Sequence, residues 1–238
     1  MKLVQSILTK NDCYKSGRKI TVKGLMLHSV GCPQSNASVF VKNWNRSDLE
    51  ACVHGFIDGN TGTVYQTLPW NHRGWHAGGA ANNTHIGVEM CEPACIKYTS
   101  GANFTCSDLT TAKAVAKRTY EAAVELFASL CKQYGLDPMK DGVIISHREG
   151  CARGLASNHG DPEHLWNQLG TGYTMNGFRK AVQADMKGGG VTTTPNAEKP
   201  TTGGTGATVK PYLVRVTIPD LYIRKGPGTN YGKNGFIK

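Results

Sequence analysis

Nowhere in its 238 residues does this chain carry an apolar run approaching the ~20 residues that span a bilayer, which excludes a helical membrane span. The opening residues, MKLVQSILTKND, hold no apolar stretch longer than a few residues before Lys10 and Asp12. No secretory signal peptide is therefore expected there. The eight cysteines include no C-x-x-C pair, which excludes a zinc ribbon, and the C-x3-C of CEPAC (91–95) has no second pair beside it. In the absence of an export signal they are read as reduced thiols. Acidic residues are scarce: 17 Asp+Glu stand against 27 Lys+Arg, for a net charge of +10. The excess is densest at the end of the chain, where residues 188–238 hold seven Lys+Arg against two Asp+Glu. Such a balance favours a polyanionic partner, whether nucleic acid, anionic lipid or an acidic cell wall. The basic residues are dispersed, however, and no aromatic-rich RNA-reading motif or recognition-helix pattern accompanies them, so no nucleic acid partner is expected.

What the chain does contain divides it in three. Residues 188–210, GGGVTTTPNAEKPTTGGTGATVK, are Gly, Thr and Pro with almost nothing to bury, and read as a flexible linker. Before it, strand-like runs at 23–30, 53–58, 63–69, 85–92 and 142–147 alternate with helical ones. The stretch 107–135 repeats its apolar residues close to every 3.6 positions, with Ser107 or Asp108 as a start cap and Gly135 as a stop. Shorter helices are expected at 37–45 and 174–186. Residues 1–187 thus read as an α/β domain with a central mixed β-sheet flanked by helices. The last 28 residues, 211–238, alternate as a β module should but are too few to stand alone, and read as a truncated small β module.

Two apolar runs end in histidine: GLMLHS at His28 and GVIISH at His147. Buried strands finishing at one edge of one sheet would set these imidazoles side by side. The following loop, CARGLASNHGDPEHLW (151–166), adds His159 and Asp161. Catalytic zinc takes three protein ligands drawn from imidazole and carboxylate and keeps a fourth position for water. Asp161 is the best-placed third ligand. The same residues also read as a polar loop with hydrogen-bonded histidines, and spacing alone does not choose.

Five segments in order, LMLHSVG, HGFIDGNTGTVYQTLPW, GWHAG, HIGVEMCEP and SHREGCARGLASNHGDP, resemble the zinc-dependent N-acetylmuramoyl-L-alanine amidases of the type 2 group. That family includes peptidoglycan recognition proteins and many phage endolysins, and the likeness is closest to clostridial phage endolysins. The tail segment LYIRKGPGTNYGK resembles the opening of a bacterial Src-homology-3-like wall-binding repeat. The resemblance implies a peptidoglycan hydrolase that cuts between N-acetylmuramic acid and L-alanine. It makes His28, His147 and Asp161 the ligands of one Zn2+ and passes over Cys151. Glu89 falls where relatives carry a catalytic glutamate, and His159 where others carry a lysine. That departure leaves open whether His159 acts protonated, which would make activity more pH-sensitive. His76 is expected to line the cleft and touch substrate, His54 to support it, and Trp75 to offer a platform for sugar or peptide. The competing expectation is a recognition module that binds peptidoglycan without cutting it, and the complete ligand set argues against it. The implied partners are peptidoglycan and the anionic polymers of a Gram-positive wall. The implied route is synthesis in the cytoplasm and action on the wall after release, through a holin if the enzyme is a phage's.

Overall fold

A computed structural model describes residues 1–188 and two further strand segments. In chain order the strands of the first body are β1 (Leu3–Gln5), β2 (Gly24–Ser29), β3 (Gly55–Ile57), β4 (Val64–Gln66), β5 (His85–Met90), β6 (Ile96–Ser100), β7 (Asn103–Cys106) and β8 (Ile144–Ser146). The helices are α1 (Asp12–Lys15), α2 (Ala37–Trp44), α3 (Leu109–Tyr134), α4 (His147–Ala152), α5 (Glu163–Leu169) and α6 (Met175–Met186). The second body is an antiparallel pair, β9 (Leu221–Arg224) and β10 (Lys233–Ile237), with a register shift between Lys233 and Gly235. The sequence-based linker, apart from Gly188, and the rest of the 211–238 segment lie outside the described residues.

Six strands form one mixed sheet in the order β1-β4-β3-β5-β2-β8. β3, β5, β2 and β8 run parallel, and β4 is antiparallel to β3. The period of two sorts the side chains. Leu25, Leu27, Ile86, Val88, Met90 and Ile144 join the core under α3 and α6. Met26 and Ile145 point to the opposite face, where Ala77, Ala81, Leu155 and Ala156 cover them. His28 shares the Met26 face by alternation, which carries it away from the apolar layer.

The long helix forms as its periodicity requires. Asp108 accepts from the Thr111 backbone N–H, and Gly135 closes the last turn at φ 62° in the left-handed region. Each expected strand is present, though shorter than the apolar run that announced it. The expectation for His147 is corrected. β8 stops at Ser146, and His147 is the first residue of α4. Ser146 accepts from the Glu149 backbone N–H while the Glu149 carboxylate accepts from the Ser146 N–H, a reciprocal cap that starts a helix there. β1, α1, the β6–β7 hairpin, α4 and α5 lie outside the elements expected from sequence. All eight cysteines are free thiols. No helix among the described residues is long and apolar enough to cross a membrane.

Candidate metal centre

The carboxyl ends of three neighbouring parallel strands bring the site together, where ligands of open α/β sheets gather. Register sets His28 on β2 directly opposite Glu89 on β5, while Leu27 faces Ser146 on β8. Glu89, His28 and His147 therefore stand in a row along one sheet edge. Asp161 joins them from the loop after α4, its backbone carbonyl accepting from the Arg148 N–H at 3.2 Å.

His28, His147 and Asp161 are all buried and turn one donor atom each towards a common point, the three lying within 4.8 Å of one another. His28 Nδ1 is 3.0 Å from His147 Nδ1 and 3.3 Å from Asp161 Oδ2, and His147 Nδ1 is 3.7 Å from Asp161 Oδ1. Four ligands tetrahedrally arranged at the zinc–nitrogen and zinc–oxygen distance stand roughly 3.3 Å apart. The observed spacings bracket that value, so the donor set fits zinc.

Hydrogen bonding behind the imidazoles aims their lone pairs. His76 Nε2 lies 3.1 Å from the His85 carbonyl, which only accepts, so that nitrogen carries the hydrogen. His76 Nδ1 then accepts from His28 Nε2 at 3.0 Å, leaving His28 Nδ1 unprotonated towards the centre. On the other side Ser157 gives its hydrogen to the Ala77 carbonyl at 3.3 Å. His147 Nε2, 3.2 Å from Ser157 Oγ, donates to it and likewise frees its Nδ1. Gly87 makes the first arrangement possible: a Cβ there would sit 2.4 Å from the His76 ring.

Electrostatics separate the groups. Burial, with the neighbouring His28, pushes the His147 imidazole down to about 4, so it is a neutral donor at pH 7. Burial also pushes His28 down, but Glu89 and Asp161 outweigh it and leave its pKa raised. For Asp161, burial acts to raise the carboxyl, but the adjoining His28 imidazole and then that of His147 outweigh it and leave the pKa lowered. Glu89 moves the other way: burial raises it to about 7 against the pull of His28. Its Oε2 is buried and has no hydrogen-bond partner among the described residues. These groups floor a cleft of about 670 Å³.

The remaining sequence-derived residues separate. His159 is exposed on the cleft lip, its Nδ1 3.2 Å from His147 Nε2 and 3.0 Å from Ser157 Oγ. His76 lines the cleft as well as backing His28. His54 is not brought to the cleft. It is 0% exposed, its Nε2 donating to the His72 carbonyl at 2.8 Å and its Nδ1 accepting from the Gly87 N–H at 3.0 Å. Trp75 is 48% exposed beneath the Arg73 guanidinium and borders a separate pocket of about 270 Å³ with Arg18 and Glu50. Cys151 Sγ lies by Asn158 at 3.8 Å, outside the ligand set.

Sequence reasoning missed Tyr98, Ala102 and His164 as parts of the cleft wall, with the buried Glu92 bonded to Tyr98. A signal was present, since Ile96, Tyr98, Phe104 and Cys106 alternate about a turn with Gly101 at φ 55°.

A family model described as N-acetylmuramoyl-L-alanine amidase, Amidase_2, matches residues 17–164. Two curated relatives come from Bacillus subtilis (strain 168). The N-acetylmuramoyl-L-alanine amidase XlyA is 36% identical over 78 residues, 32% of this chain and 25% of XlyA. The N-acetylmuramoyl-L-alanine amidase CwlH is 37% identical over 79 residues, 32% of this chain and 30% of CwlH. The matched stretches thus span under a third of either relative. Among solved structures, the catalytic domain of XlyA superposes with a TM-score of 0.54 at 19% identity, covering 76% of this chain and 99% of that one. Staphylococcus aureus AmiA gives 0.56 at 19% identity, covering 80% and 87%. The PlyG catalytic domain gives 0.57 at 16%, covering 82% and 100%. At these identities the structural likeness speaks for the fold.

Proposed function

The chain belongs to the N-acetylmuramoyl-L-alanine amidase family, and from that premise we propose that it is a peptidoglycan hydrolase. The bond cut is the amide between the lactyl group of N-acetylmuramic acid and the L-alanine of the stem peptide. One observation carries the reading: a buried His28–His147–Asp161 donor set beside a Glu89 carboxyl with a partnerless oxygen, on the floor of an open cleft. A module that only binds needs neither feature, so the recognition reading is the weaker one.

In this proposal His28 and His147, through Nδ1, and Asp161, through a carboxylate oxygen, hold one zinc ion. When bound, the ion supplies Lewis acidity, polarising a carbonyl and lowering the pKa of water towards ~7. Glu89 accepts the proton of the attacking water at Oε2 and returns it to the departing alanine nitrogen. A carboxyl poised near 7 suits both halves of that exchange. His159, at the lip, donates to the oxyanion as the carbonyl becomes tetrahedral, a contact worth about 3 kcal/mol in comparable sites. His76 holds the His28 tautomer and borders the substrate. His54 supports the Gly87 strand from behind, and Trp75 offers an apolar face to glycan or peptide beyond the cleft. The proposed place of action is a Gram-positive wall, reached after release from the cytoplasm. There the +10 net charge favours anionic wall polymers.

The test is wall digestion with and without a zinc chelator, counting new amino termini against new reducing sugars. N-terminal alanine that vanishes with chelator and returns with zinc is expected. Binding without new termini would leave the recognition module standing, and new reducing ends would assign a different bond.

A further inference from the structure

Two segments that bear proposed ligands continue beyond the site: the chain after β2 runs past His28 to Gly31, and the Asp161 loop enters α5, which carries His164. A chain of hydrogen bonds through groups with no assigned role joins them. The Gly31 N–H donates to Glu92 Oε1 at 3.2 Å. Tyr98 donates its single hydroxyl hydrogen to Glu92 Oε2 at 2.7 Å. Tyr98 Oη is also 2.7 Å from His164 Nε2, and with its own hydrogen committed it can only accept there. His164 therefore carries its hydrogen on Nε2. Its backbone N–H in turn holds the Gly160 carbonyl at 3.0 Å, one residue before Asp161.

The hairpin that presents Tyr98 is itself anchored. It stands outside the six-stranded sheet and is fastened to α5 by Gln168, which accepts from the Phe104 N–H at 3.0 Å and donates to the Ala102 carbonyl at 2.7 Å. Glu92 is 0% exposed. A carboxyl so deeply buried costs stability unless its oxygens are hydrogen-bonded, and here Oε1 accepts from Gly31 and Oε2 from Tyr98. Here its surroundings are the exits of two ligand-bearing segments.

Resting on the function proposed above, we infer that Tyr98 is a positioning residue: with Glu92 and His164 it fixes the separation of Asp161 from His28, and thereby the dimensions of the metal centre. Outer-shell partners of this kind typically contribute about ten- to a hundred-fold in metal affinity.

Tyr98→Phe tests this with little disturbance, because the ring keeps its edge-on contact with Phe104 at 5.7 Å and only the hydroxyl goes. Zinc affinity is measured on metal-stripped protein by competition with a chromophoric chelator, alongside kcat, KM and Tm. The expected result is zinc binding weakened about ten-fold or more, with kcat reduced and KM little changed. Glu92→Leu should behave alike, and the double variant should lose no more than the worse single one, since the groups act as one chain. Leu169→Ala is the control. It loosens the same corner through the apolar cluster of Ile96, Leu165 and Leu169. It should lower Tm and leave zinc affinity at the parental level. Parental zinc affinity in Tyr98→Phe, or an equal loss in Leu169→Ala, would overturn the inference. If the parent binds zinc but frees no alanine termini, the hydrolase reading falls while the affinity comparison still decides the role of Tyr98. A parent that binds no zinc would overturn both.

Discussion

Replacing Glu89 by glutamine should weaken the enzyme and strengthen the metal-stripped fold, and the two effects come from one cause. Burial holds the Glu89 carboxyl at about 7, against an ordinary value of 4.5. Between those pH values the folded protein keeps a proton that the unfolded chain has released. Stability therefore falls as pH rises through this window, and is unaffected by the group below it. At 1.36 kcal/mol per pH unit the loss is on the order of 3 kcal/mol by pH 8. Glutamine has no proton to lose. Urea melts of the two metal-stripped proteins should coincide near pH 4 and diverge towards pH 8, with Glu89→Gln the more stable. With zinc restored, the variant should turn over walls about 10²–10⁴-fold more slowly, the range for loss of a general base, equivalent to about 3–5 kcal/mol of barrier. Parental turnover would refute the role given to Glu89. Melts that stay parallel across pH would refute the buried, partnerless carboxyl behind it.

Asp161→Ala should lose both zinc and activity while retaining its far-ultraviolet circular dichroism; retained zinc would remove Asp161 from the ligand set. His159→Ala should keep zinc at parental stoichiometry and lose about 10²–10³ in kcat, the cost of one oxyanion donor, and unchanged kcat would move that role elsewhere. His54→Ala should act on stability instead. It strands the Gly87 N–H and the His72 carbonyl at about 1–3 kcal/mol each, so Tm should drop with KM unchanged in the folded protein. A raised KM at parental Tm would return His54 to the substrate. Finally, zinc at a hundred times its dissociation constant should stabilise the fold by about 2.7 kcal/mol, visible as a Tm that falls with chelator.

The site's parts depend on different kinds of information. The strands around His28 and His147 were legible because apolar runs ending in a polar residue have few other uses in an α/β domain, and 107–135 declared its helix by period and caps. Asp161 and Glu89 could be named because several short segments occur in a fixed order, which a resemblance can read and local propensity cannot. Other features depended on pairing between distant segments. His54 lies immediately before β3 and reads like any candidate, until β5 brings Gly87 to one nitrogen and the His72 carbonyl meets the other. His147 reads as a strand end, but the cap made by Ser146 and Glu149 turns it into the start of α4. The alternation in 96–106 was available, yet nothing local said that Tyr98 would meet Glu92 and His164.

The sequence by itself determined five of the six strands of the main sheet, its three longer helices, the chemical types at the strand ends and the family. It did so because hydrophobic period, caps and ordered motifs are written within a few residues of one another. Only the tertiary structure decided which imidazole nitrogens face the centre, which carboxyl is held near neutrality and which histidine spends both nitrogens on backbone groups. Those properties depend on burial and on neighbours distant in the chain, as where His28 meets His147 and Asp161 from more than a hundred residues away.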